Sequence, residues 1–177
     1  MSPVEKIGAG IDLGGTAINY TFLDERGQFL IDGLCEHPAR SVDGPAVCLT
    51  QIAEGLARAA EQAGVALSKL VAAGLDTPGP ASADGVFSRR GSTNFVHAAW
   101  AGFDIRAGVE EQLGIPVTYL NDGNAAALWG HASLFGSENT ATSISAIIGT
   151  GLGGGVITSG RVVTGRNGFG GELGHVL

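Results

Sequence analysis

The run TYLNDGNAAALWG, residues 118–130, sets a carboxylate, Asp122, between two amides, Asn121 and Asn124, where a strand-like stretch gives way to an alanine-rich helical one. A carboxylate fixed on a rigid helix start, with open space ahead of it, meets the conditions for a general base acting on a hydroxyl. The same position also suits an N-cap, with Asn121 or Asn124 bonding nearby backbone. Ala125, Ala126 and Ala127 allow close helix packing and leave the polar group ahead of them reachable. A second carboxylate, Asp12, ends the apolar run KIGAGIDL and is followed after Leu13 by Gly14, Gly15 and Thr16. An unpaired carboxylate at the end of a buried strand is costly. Asp12 therefore either caps its own turn or faces a Mg2+–nucleotide pair, which an acid beside backbone N–H groups and a hydroxyl would suit.

Two further segments could do chemistry. In GTGLGGG, Gly149, Gly151 and Gly154 match GxGxxG, and Glu172 follows about 20 residues on, as in a dinucleotide fingerprint. That fingerprint must open a helix, whereas VITSGRVVTG is β-branched and glycine-broken and predicts a strand. The segment is then a plain hairpin turn or a turn whose successive N–H groups form an anion nest. Glu172 and His175 stand at i, i+3 in GRNGFGGELGHVL, a run too rich in glycine for a helix and not the HExxH of a zinc hydrolase. One acceptor and one donor/acceptor on an exposed loop are what sugar hydroxyls need.

The elements that must position these groups follow from periodicity. KIGAGIDL, AINYTFLD, QFLIDGLCE, KLVAAGLD and IPVTYL read as strands. Leu49, Ile52, Leu56 and Ala63 recur at a helical period between Asp43 and Gly64, with Gly64 as the stop. Asp104 is the expected cap of IRAGVEEQLG, and SISAIIGT with GGGVITSG is the expected hairpin. The resulting order is an α/β layer architecture. GIDLGGTAINYTFLDERG and AIIGTGLGGGVITSGRV repeat a strand, glycine turn, strand pattern, which suggests two related halves that face each other.

Composition narrows the classes. Glycine contributes 30 of 177 residues, more than twice the ordinary ~7% share. The glycines cluster at turns instead of spreading through a linker. The net charge of −7 and the scattered basic residues argue against a nucleic-acid face. Neither Lys6 nor Lys69 follows a glycine loop, so no Walker A motif exists. No apolar run approaches the ~18 residues of a membrane span. The start MSPVEKIGAG lacks signal-peptide features, and Cys35 and Cys48 have no CxxC spacing. These readings point to the cytoplasm.

Taken in order, DLGGT, PGP after a strand, STNF followed by Trp100, NDGNAAAL, GTGLGGGV and GELGH resemble the ROK family of sugar kinases and related transcriptional repressors, from about residue 8 to the end. The resemblance implies an actin-like ATPase (ribonuclease H-like) fold whose two lobes close on ATP, Mg2+ and a hexose or N-acetylhexosamine. Residues 1–117 would be the N-terminal lobe and 118–177 the start of the second. By position, Asp12 would stand beside the metal, directly or through water, and Gly14, Gly15 and Thr16 would form the first phosphate turn. Thr150, Gly151 and Gly153 would form the second. Asn94, Asn121, Glu172 and His175 would hold sugar hydroxyls, and Asp122 would take the proton from the accepting one.

Departures from the family pattern also carry information. Ala17 stands where members often carry Lys, and Gly123 where they usually carry Ala, a change expected to loosen the helix start. After GELGH many members carry cysteines that bind structural zinc with that histidine. Here the chain ends at HVL, so His175 lacks those partners and zinc would be complete only in a longer parent. The resemblance thus implies the N-terminal part of a kinase, lacking the adenine-binding portion, with a homodimer as a further expectation. A sugar-sensing repressor is disfavoured because few residues precede DLGGT; a non-catalytic sugar-binding remnant is the other alternative.

Overall fold

The computed structural model describes residues 6–89, 94–136, 140–148 and 152–175. Five strands form the first sheet: β1 (Ile7–Leu13), β2 (Ala17–Asp24), β3 (Cys35–Pro38), β4 (Leu70–Thr77) and β5 (Val117–Asn121), in the order β3-β2-β1-β4-β5. β1, β2 and β3 pair antiparallel, and β4 and β5 run parallel to β1. The parallel strands are reached through helices α1 (Pro45–Gln62) and α2 (Ile105–Leu113), as parallel pairing requires.

Strand alternation decides which face is core. Ile7, Ala9, Ile11 and Leu13 of β1 are buried, together with Ile18, Tyr20 and Phe22 of β2 and Leu75 of β4, in one cluster with Cys48, Ile52, Leu56, Ile105 and Val109 of the helices. By the same alternation Asp12 and Asp76 point to the opposite face. Gly64, with φ of 65°, ends α1: Gly64 N–H donates to Glu61 O and Val65 N–H to Ala60 O. Asp104 caps α2 by accepting from Ala107 N–H at 2.8 Å.

The expected strand over QFLIDGLCE is displaced. Phe29 makes one isolated bridge to Leu23, Gly33 takes φ of 89°, and regular pairing begins at Cys35. Phe29 and Leu34 are exposed, so the apolar residues of that run never formed a buried stripe.

Helix α3 (Asp122–Phe135) leaves the end of β5 and packs on a second sheet, β6 (Ser143–Ile148), β7 (Leu152–Thr158) and β8 (Arg161–Val162), in that order and antiparallel. The expected division at 117/118 thus falls at the first residues of β5, the edge strand of the first sheet. At Gly123 α3 comes close to β7: a Cβ there would stand 2.8 Å from Gly154 O. The absence of a side chain at Gly123 therefore serves a close approach as well as a helix start.

Candidate active site

The strand ends and the start of α3 converge. Asp12 on β1 and Asp76 on β4 are paired residues of parallel strands, so their carboxyl groups lie side by side on the face away from the core. Asn19 Nδ2 donates to Asp12 Oδ2 at 3.0 Å. Burial pushes Asp76 well above the usual carboxylate range, and the Asp12 charge and a hydrogen bond between the two carboxyls push it the same way. Asp76 was not singled out from the sequence, where it reads only as the last residue of the strand KLVAAGLD. The available signal was the shared ending of two buried strands, GID and GLD.

Asn121, not Asp122, is the N-cap of α3: its Oδ1 accepts from Gly123 N–H at 3.0 Å and Asn124 N–H at 3.4 Å. Asp122 is the first helical residue, and its Oδ1 accepts from Gly123 N–H at 2.7 Å. Its carboxyl is shifted upward, first by partial burial and then by the Asp12 charge, against the lowering effect of the Gly123 N–H. Tyr119, one turn of strand earlier, shares a buried hydrogen bond of 2.8 Å with Thr77, and burial pushes its hydroxyl up to about 12.

Asp122 stands between two cavities and, among the described residues, is the one that lines both. A cavity of about 710 Å3 is walled by Asp12, Asp76, Asp122, Gly153 and Trp129. A second, of about 640 Å3, is walled by Gly79, Pro80, Asn121, Asp122, Phe169 and Glu172. A Cβ on Gly79 would lie 3.6 Å from Asn121 Nδ2 and 4.0 Å from Glu172 Oε1, so a donor and an acceptor flank that bare position. The first cavity combines paired carboxylates with a glycine strand start. The second offers hydrogen-bonding groups of both kinds.

The other expected site residues fall as follows. Gly14 N–H donates to Ala17 O at 2.9 Å, which closes the turn that carries Gly15 and Thr16 beside Asp12. Asn94, with φ of 71°, packs its side chain against Gly15 instead of lining the second cavity. Ser41 Oγ reaches Gly15 O and, at 3.0 Å, Asn94 O, and Trp100 Nε1 donates to Ser41 O at 2.7 Å. Trp100 is buried among Phe87, Phe95 and Phe103, with ring centroids 5.0–5.6 Å away, and so anchors this link. Gly153, the second residue of β7, has free space where a Cβ would go. Thr150 and Gly151 lie outside the described residues. The backbone of His175 belongs to the 3-10 turn Leu173–His175, and its side chain lies outside the described residues.

Asp12 and Asp76 fit a divalent cation by donor chemistry: two adjacent carboxyls, one of them raised well above the usual range by burial and then by its neighbour's charge, are relieved by a hard cation that takes oxygen ligands. Among the described residues no three His, Cys, Asp or Glu side chains gather as a metal cluster. Mg2+ needs few protein ligands, because it keeps waters and shares substrate phosphates. Cys48 is buried in the core and Cys35 is partly exposed; both are free thiols. Among the described residues no helix is long and apolar enough to cross a membrane.

Comparison with known proteins agrees with this geometry. The model of the ROK family matches residues 8–177. A glucokinase of Halalkalibacterium halodurans is 33% identical over 171 residues, which are 94% of this chain and 48% of that protein. An N-acetyl-D-glucosamine kinase of Vibrio cholerae is 33% identical over 170 residues, 94% of this chain and 51% of the other. A ROK family glucokinase from Streptomyces griseus, solved with glucose and AMPPNP, superposes with a TM-score of 0.72 at 28% identity, covering 96% of this chain and 50% of that one. The chain thus spans about half the length of the relatives it matches. Its architecture is the actin-like ATPase fold.

Proposed function

Given that the chain belongs to the ROK family, we propose that its protein is a kinase that moves the γ-phosphoryl group of ATP to a hydroxyl of a hexose or N-acetylhexosamine. One observation carries this reading: Asp122 is the side chain common to the carboxylate-lined cavity and the cavity with paired donors and acceptors. A base that joins a phosphate site to a hydroxyl site is what in-line transfer between the two needs.

The roles follow from position. Asn121 and Glu172 of the 640 Å3 cavity orient the sugar, Asn121 while its Oδ1 holds the helix start, and the family resemblance assigns His175 the same role. Asp122 accepts the proton of the attacking hydroxyl, the oxygen bonds to the γ-phosphorus, and ADP leaves with the electrons of the broken P–O bond. On the other side Gly14, Gly15 and Thr16 form one phosphate turn and Thr150, Gly151 and Gly153 the other, and Asn94 braces Gly15. Mg2+, held by Asp12 and Asp76, would neutralise phosphate charge, the chief electrostatic need of a loose phosphoryl transition state. Residues 1–117 and 118–177 are assigned to the two lobes of a soluble cytoplasmic enzyme that binds neither nucleic acid nor membrane. The protein would pair as a homodimer, and His175 would take structural zinc wherever the natural protein supplies cysteines.

The test is ATP-dependent phosphorylation by the protein at its full natural length against glucose, mannose, fructose, N-acetylglucosamine and N-acetylmannosamine. Turnover of at least one, lost in Asp122→Asn, is the expected result. A folded protein that turns over none of them overturns the reading.

A further inference from the structure

The 640 Å3 cavity has one wall that the hydrogen-bonding account leaves unused. Phe169, a residue 49% exposed, lines it beside Asn121, Asp122 and Glu172. Several large apolar side chains of this chain are exposed, and Phe169 differs from them in standing on the wall of this cavity among convergent polar groups. The backbone accounts for that placement. A Cβ on Gly168 would stand 2.5 Å from Ala83 N, and one on Gly171 would stand 2.8 Å from the Cα of Gly155. One on Gly170 would collide with Val163 O. The loop is therefore clamped between the 82–83 segment on one side and β7 and the residues just after β8 on the other. Phe169 is the one residue of 168–171 with a side chain, and the clamp leaves it facing the cavity.

Resting on the sugar-kinase reading of this cavity, we propose that Phe169 determines sugar specificity, as an apolar platform for the C–H face of the pyranose ring. A pyranose is amphipathic: equatorial hydroxyls surround its rim, and its faces carry C–H groups. Asn121 and Glu172 address the rim, and the ring of Phe169 addresses a face. An epimer with an axial hydroxyl on that face would press an unpaired polar group against the phenyl ring, which costs binding. The site therefore selects hexopyranoses whose platform-side hydroxyls are equatorial.

The experiment is calorimetric titration of the best substrate into the natural-length protein and into Phe169→Ala, Phe169→Leu and Phe169→Trp, with melting curves as a folding check. Proton NMR of the bound sugar is recorded alongside. The wild-type protein and Phe169→Trp are expected to shift sugar ring protons upfield. Phe169→Ala should lose that shift, bind about tenfold more weakly, and raise KM more than it lowers kcat. Phe169→Leu, which keeps apolar bulk without ring current, should lose the shift even if Phe169→Ala fails to fold. Unchanged affinity and no upfield shift, with binding still abolished in Glu172→Ala, overturn the platform and leave the sugar site standing. No sugar bound by a folded wild-type protein overturns the site reading, and the platform falls with it.

Discussion

A carboxylate that takes a proton from a sugar hydroxyl, the role proposed for Asp122, must be ionised, yet it must sit where little water competes, and the surroundings of Asp122 set these needs against each other. Partial burial and the charge of Asp12 raise its pKa, and the Gly123 N–H restrains the rise. A base works deprotonated, so kcat/KM should climb with pH along a limb placed above the ordinary carboxylate value of about 4. Asp122→Asn should erase that limb and cut turnover ~10²–10⁴-fold, with sugar affinity within a few fold. Unchanged turnover in Asp122→Asn would remove it from the role of base. Asp76 gives a different pH signature. Its folded pKa is raised, so from about pH 4 upward the folded state binds a proton that the unfolded state has released. Metal-free stability should therefore fall as pH rises through that window. Asp76→Asn cannot ionise and should flatten the curve, leaving the variant more stable than the parent at the alkaline end. Urea unfolding in chelator across pH 5 to 8 checks this; parallel curves for both proteins would contradict it.

At the level of elements, the two glycines of β7 that flank Gly154 should behave in opposite ways. A Cβ at Gly155 would stand 2.6 Å from Ala127 Cβ and 2.9 Å from Asn124 Oδ1, so Gly155→Ala must push β7 off α3. We expect a loss of about 1–3 kcal/mol, the usual range for overpacking, read as a lowered urea midpoint. Gly153 meets nothing within 4 Å, so Gly153→Ala should stay within about 0.5 kcal/mol of the parent. The same change should weaken the nucleotide, because the added methyl enters the 710 Å3 cavity. Most elements were legible in the sequence because their apolar residues are spaced for one buried face, as Leu49, Ile52 and Leu56 are in α1. QFLIDGLCE misled because Phe29 and Leu34 stay exposed and its glycine turns the chain. In the site, Asp12 and Asp122 announce themselves by their local sequence. Asp76 depends on the register of β1 against β4, and Phe169 on contacts made by its glycine neighbours. Such facts exist only once distant segments meet.

Across the whole molecule, the first sheet buries one face under α1 and α2, whereas the second sheet ends at β6, an edge strand that exposes Ile144 and Ile148. Unpaired edges with apolar side chains invite pairing with another copy. This chain by itself should therefore associate as its concentration rises, and Ile144→Lys should shift light-scattering mass back toward the monomer. A monomer at every concentration would rule out that edge as sticky. The two tryptophans divide between environments as well. Trp100 is sealed in the aromatic cluster, while Trp129 lies half-exposed on the wall of the 710 Å3 cavity, edge-on to Phe29 at 5.3 Å. These 177 residues therefore carry two tryptophan fluorophores with separate assignments. Trp100 should emit in the blue, shielded from acrylamide, and report unfolding. Trp129 should emit further to the red, open to the quencher, and dim or shift when a nucleotide fills the cleft, so that occupancy and integrity can be followed in one unlabelled sample.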